Sequence, residues 1–154
     1  MPTATSPGPA RVLLLLVSLA LAAAGCRTPQ PLVDPKPIAA AETPAQTRVA
    51  ILRALIEGHY AVESEQAGQI IARYSRSKWN MVVAVDYSNQ VSVRYLSSEN
   101  LQYGTKNGTP VIHPGYNKRV QRLAKVIGTE IAIARVGDEL PPVAAPPPGE
   151  SRPQ

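Results

Sequence analysis

Few side chains in this chain can carry reactive chemistry: one cysteine, Cys26, and two histidines, His59 and His113. A serine hydrolase needs a base beside the nucleophile and an acid behind the base. Ser97, Ser98, His113 and Asp86 supply the residue types, but neither serine sits in a nucleophile elbow and Asp86 adjoins an expected hairpin turn. His59 and His113 stand 54 residues apart and leave only one thiol to join them, which is no zinc spacing. Gly104, Gly108 and Gly115 are spread along a turn-rich link and form no phosphate-cradling loop. The pattern points away from an enzyme, and neither a metal nor a dissociable cofactor is expected. The densest polar set is Ser98, Asn100 and Tyr103, followed by His113, Tyr116 and Asn117. Such a set either ties loops down and caps a helix, or forms a small-molecule or glycan site. Both uses stay open.

Cys26 closes an N-terminal pattern. Arg11 precedes the apolar run "VLLLLVSLALAAA", 13 residues over 12–24. A spanning helix needs about 20 such residues, so the run is too short to cross a bilayer. A positive residue, an apolar stretch and a small-residue exit are the parts of a secretory signal, here 1–25. A lone cysteine has no internal disulfide partner and is therefore free or modified. The stretch Ala23-Ala24-Gly25-Cys26 resembles the bacterial lipobox. That resemblance implies cleavage before Cys26, a diacylglyceryl group on its sulfur and an acyl chain on its new amine. Each buried methylene contributes about 0.8 kcal/mol, so two or three chains make a stable anchor. Arg27 stands where enteric lipoproteins retained at the inner membrane carry Asp. The resemblance therefore implies the outer membrane, on its periplasmic face. Export also excludes nucleic acid as a partner of this basic chain, whose formal net charge is +5.

After the anchor, residues 26–44 hold Pro29, Pro31, Pro35, Pro37 and Pro44 and read as an extended tether. Residues 138–154, rich in proline and without periodicity, read as a disordered tail. Between them 45–137 suffices for one small core. This part carries 12 Lys or Arg against 6 Asp or Glu, which suits an acidic envelope protein, a cell-wall polymer or anionic headgroups.

The elements that place the polar set follow from periodicity. Thr43, Pro44 and Gln46 spell a capping box with proline at the first helical position. A helical stripe of Ala45, Val49, Leu52, Leu55 and Ile56 follows, and Gly58 offers a left-handed stop. The period then changes to two, predicting strands near 59–65, 69–75, 79–87 and 91–98. Loop lengths of three, four and three residues bring the apolar side chains onto one face. They pair Tyr60 with Tyr74 and Val62 with Ala72; Tyr74 with Trp79, Ala72 with Met81 and Ile70 with Val83; and Val85 with Val93 and Val83 with Tyr95. A second helix over 116–136 presents Val120, Leu123, Ile127, Ile131 and Ala134. The predicted fold is α+β, a four-stranded antiparallel meander with both helices on one face, in the order α-β-β-β-β-α. The same register aligns Ile71, Val82 and Leu96 in an apolar stripe on the outer face, which fits a partner site.

The pieces "RAL", "YAVESEQAGQIIARY", "VDYSNQVSVRYLSSENLQY" and "IHPGYNKRVQRLAKVI" are similar to a family of small proteobacterial outer-membrane lipoproteins of unassigned activity. The matching positions are Tyr95, Ser98, Asn100, Leu101, Tyr103, Ile112, His113, Tyr116 and Asn117; Arg119 stands where the family usually has an aromatic residue. The resemblance implies the anchor and the compartment, and no reaction or ligand. The reading is a lipid-anchored, non-enzymatic binding or assembly module of the envelope. The alternative is a small-molecule or glycan-binding lipoprotein that uses the polar set.

Overall fold

In a computed structural model of the chain, the described residues are 28–139; the apolar run, Cys26 and the tail from residue 140 lie outside them. Two short strands come first, β1 (Gln30–Pro31) and β2 (Ile38–Ala39), then helix α1 (Pro44–Glu57). Strands β3 (Tyr60–Gln66), β4 (Gln69–Arg76), β5 (Trp79–Tyr87) and β6 (Gln90–Glu99) follow. A hairpin of β7 (Gly104–Lys106) and β8 (Thr109–Ile112) leads to helix α2 (Pro114–Glu139). The class is α+β with antiparallel sheets. The expected meander is its centre, extended at both ends: one sheet runs β2-β6-β5-β4-β3 and a second runs β1-β8-β7.

Helix α1 starts as its sequence dictates. The Gln46 amide donates to Thr43 Oγ1 at 3.2 Å, the Thr43 amide donates to Gln46 Oε1 at 2.8 Å, and Pro44 fills the first turn. Its buried face differs from the expected stripe. Thr47, Ala50, Ile51, Ala54 and Leu55 face inward, while Val49 and Ala45 are exposed and Ile56 is 74 % exposed. The alanines let the helix approach its neighbours closely, and buried Ile51 and Leu55 contribute about 1.5–3 kcal/mol each. The stop also shifts by one residue. Gly58 keeps a right-handed φ of −73° and His59 takes the left-handed turn at φ 59°. Gly58 is glycine for space, since a Cβ there would lie 3.0 Å from the Tyr60 ring.

The register of β3 on β4 pairs Tyr60 with Tyr74 and Val62 with Ala72, as expected. A bulge between Val62 and Ser64 then shortens the loop to Ala67-Gly68, with Gly68 at φ 80°. Strands β5 and β6 pair Val83 with Tyr95 and Val85 with Val93, again as expected. Strands β4 and β5 do not follow the prediction. A two-residue turn, Ser77-Lys78, replaces the four-residue loop, so Tyr74 faces Met81 and Ala72 faces Val83. The slip is two residues, so every side chain keeps its face. Ile70, Ala72, Tyr74, Met81, Val83 and Val85 form one core with Val120, Leu123, Ile127 and Ile131 of α2.

The tether expected over 26–44 is, from Gln30 onward, part of the fold. Gln30 and Pro31 pair with Ile112 and Val111, and the Leu32 amide donates to the Pro110 carbonyl at 2.9 Å. Ile38 and Ala39 pair with Val91 and Gln90, and the Tyr95 amide donates to Asp34 Oδ1 at 3.3 Å in the same register. The Ala41 amide donates to Thr47 Oγ1 at 2.9 Å, and the Arg135 guanidinium donates to the Ala40 carbonyl. Residues 30–41 therefore run beside α2 from its first turn towards its last.

Candidate functional site

The first turns of α2 and the β4–β5 turn build a groove. Asn100, at φ 58°, donates from Nδ2 to the Lys78 carbonyl at 2.6 Å and braces that turn from just beyond the end of β6. His113 precedes α2: its amide donates to the Leu101 carbonyl at 2.7 Å, and its Nδ1 accepts from the Gly115 amide at 3.0 Å. Its ring lies 4.7 Å from that of Trp79. Gly115 makes the approach possible, since a Cβ there would sit 2.9 Å from His113 Nδ1 and 3.1 Å from Trp79 Cζ3.

The groove encloses about 590 Å³. Tyr74, Trp79, Met81, Leu101 and Tyr116 provide its apolar and aromatic lining, and Arg76, Lys78, Lys118, Arg119 and Arg122 its charge. Arg119 lies over the Tyr74 ring at 3.8 Å, a cation–π contact. Beyond it a second hollow of about 500 Å³ shares Tyr74, Arg76, Arg119 and Arg122 and reaches Glu57, His59 and Tyr60. The ion pairs of the described residues lie elsewhere: Arg48–Glu65, Arg53–Glu130, Arg73–Glu63 and Arg94–Asp86. The hydroxyls of Tyr60 and Tyr116 are buried without a hydrogen-bond partner among the described residues. Burial pushes both phenols above the ordinary tyrosine range; nearby Arg119 opposes this at Tyr60, and Asp34 adds to it at Tyr116.

The polar set singled out by sequence is brought to one end of the molecule, mostly by structural bonds. Asn117 clamps the N-terminal segment: its Oδ1 accepts from the Val33 amide at 3.2 Å and its Nδ2 donates to the Pro31 carbonyl at 2.8 Å. Ser98 Oγ lies 3.1 Å from the Tyr95 hydroxyl. Tyr116 packs edge-on against Tyr95, which stacks on Tyr103 at 4.6 Å; Tyr103 itself is 51 % exposed. Sequence reasoning named none of the basic residues of the groove as a site. Three of them, Lys118, Arg119 and Arg122, recur at helical spacing, and that was the available signal.

The stripe of Ile71, Val82 and Leu96 is not a row. The short β4–β5 turn sets Ile71 opposite Ala84 and Val82 opposite Arg73, and Leu96 is the extra residue where β6 bulges past Val82 and Val83. Val82, on a central strand, is only 6 % exposed, whereas Leu96 is 42 % exposed.

Among the described residues no three His, Cys, Asp or Glu side chains converge, and no helix is long and apolar enough to cross a membrane. Comparison with family models, curated proteins and solved structures returns no match.

Proposed function

We propose that this chain is a lipid-anchored binding module of the bacterial envelope, held on the periplasmic face of the outer membrane by acyl chains on Cys26. Its role is recognition or assembly, with an envelope protein or cell-wall polymer as partner, and not catalysis. The observation that carries this reading is the placement of Cys26, the single cysteine, one glycine after a 13-residue apolar run and four positions before the first strand at Gln30. Asn100, His113 and Asn117 hold turns and the N-terminal segment in place, which supports a structural role for most of the polar set. The second reading, a glycan or small-molecule site, rests on the exposed Tyr103 stacked on Tyr95, an aromatic platform of the kind sugar rings use. Replacing Cys26 with Ser tests the anchor. The variant should accumulate as precursor or appear in the soluble periplasmic fraction; a processed variant that stays in the outer membrane overturns the proposal.

A further inference from the structure

We infer that the groove between α2 and the β4–β5 turn binds the phosphate headgroup of an anionic lipid in the leaflet that carries the anchor. The inference rests on the lipid-anchor reading of Cys26. Arg76, Lys78, Lys118 and Arg122 make no ion pair among the described residues, yet they converge around one cavity. Its lining is aromatic and apolar, and Trp79 is half-buried in it. A ligand complementary to both features is anionic at one end and apolar behind it. Glu57 is the carboxylate of the adjoining hollow, on the far side of the Arg119–Tyr74 stack.

The path of the N-terminal segment selects the source of that ligand. Gln30 pairs with Ile112 and Pro31 is held by Asn117, so the chain leaves the fold at the end of α2 where Lys118 stands. Only three residues, Arg27 to Pro29, separate Cys26 from Gln30, so four chain steps give a reach of at most about 14 Å. A free tether to Pro44 would have spanned roughly 50 Å in the polyproline form. The Debye length is about 8 Å at physiological salt, so attraction to a charged surface would vanish at the longer distance, whereas the short connection lets the groove approach the surface to within that length.

Trp79 is the only tryptophan and reports directly on the groove. The mature chain, isolated from membranes, is reconstituted in vesicles of phosphatidylcholine alone or with increasing phosphatidylglycerol. Anionic vesicles should shift Trp79 emission to the blue and protect it from acrylamide, and neutral vesicles should do neither. A basic residue near an anionic surface contributes about fivefold in partition. Lys118→Gln or Arg122→Gln should therefore raise the anionic fraction needed for half-protection about fivefold, with unchanged melting temperature. Identical quenching in both vesicle types overturns the inference, as does equal protection by inorganic phosphate without vesicles. Mass analysis of the N-terminal fragment separates the two ideas. Lipid on Cys26 with no response of Trp79 refutes the groove alone. Trp79 protection by anionic vesicles added to a chain without lipid refutes the anchor and leaves the groove.

Discussion

Replacing Asn117 with Ala should free the N-terminal segment while leaving the domain folded. The side chain makes two hydrogen bonds to that segment, to the Val33 amide and the Pro31 carbonyl, both at exposed positions. A hydrogen bond contributes about 0.5–1.5 kcal/mol net, and exposure to water places these two towards the lower half of that range. Their joint loss amounts to about 1–2 kcal/mol, a factor of 5–30 in an opening equilibrium. What remains on the first part of the segment is the two-residue ladder of β1 on β8, the Leu32 amide on Pro110 and the Asp34 contact with Tyr95, with β2 still on β6 beyond them. Hydrogen exchange reads the outcome by residue. The Leu32 amide, bonded to Pro110 and not to Asn117, should lose about 5–30-fold in protection, while the amides of Val83 and Val85 in the central strand keep theirs. Asn117→Asp should be as damaging, because it trades the donor facing Pro31 for an acceptor. Unchanged protection at Leu32 would refute the clamp. An equal loss at Val83 would show that the segment opens only with the whole domain.

Two further outcomes follow from the packing and charges. Gly115→Ala should cost about 1–3 kcal/mol by overpacking and redshift Trp79 emission, since the new methyl meets both His113 and Trp79; an unshifted spectrum and melting temperature would contradict the geometry. The Arg94 guanidinium holds the Asp86 carboxyl below the usual carboxylate range, with help from Gln69 and against some burial. Because the folded value is depressed, this stabilisation is present above the unfolded value of about 3.9 and fades as pH falls through the folded one. Asp86→Asn should flatten the melting temperature against pH below about 4; a slope equal to the parent's would count against the pair.

How much of this was legible in the sequence depended on whether local chemistry fixed the answer. Thr43, Pro44 and Gln46 satisfy one another's backbone groups within a single turn, so the start of α1 could be read directly. Turns without a strong residue signature could not. Ser77 takes a left-handed φ of 56° where glycine or asparagine would have announced a tight turn. The hydrophobic pattern cannot correct such an error, because a two-residue slip leaves every face unchanged. The same slip parted Ile71 from Val82, and the β6 bulge parted Val82 from Leu96. Asn107-Gly108, both at positive φ, did carry the signal of a two-residue hairpin, but Pro110 obscured strand β8 beside it. The N-terminal segment was the largest omission. Its prolines suppress any strand signature, and its pairing uses donors scattered among them, at Leu32, Val33 and Ala41. The groove needed the turn and the helix brought together, which no local pattern encodes.

The two rims of the larger sheet are finished differently. Strand β2 lies along β6 and closes that side. At the opposite rim the outer edge of β3 has no strand partner among the described residues, and all residues of β3 except Tyr60 are exposed. The bulge after Val62 breaks the straight run of backbone donors and acceptors, and Glu63 and Glu65, engaged by Arg73 and Arg48, put charge along it. A second copy offering its own β3 would meet an interrupted ladder and like carboxylates. Molecules confined to a two-dimensional sheet of lipid collide far more often than the same number in solution. Molecules held by the proposed lipid anchor would be crowded in that way, and this rim would then hinder neighbours from zipping together strand to strand.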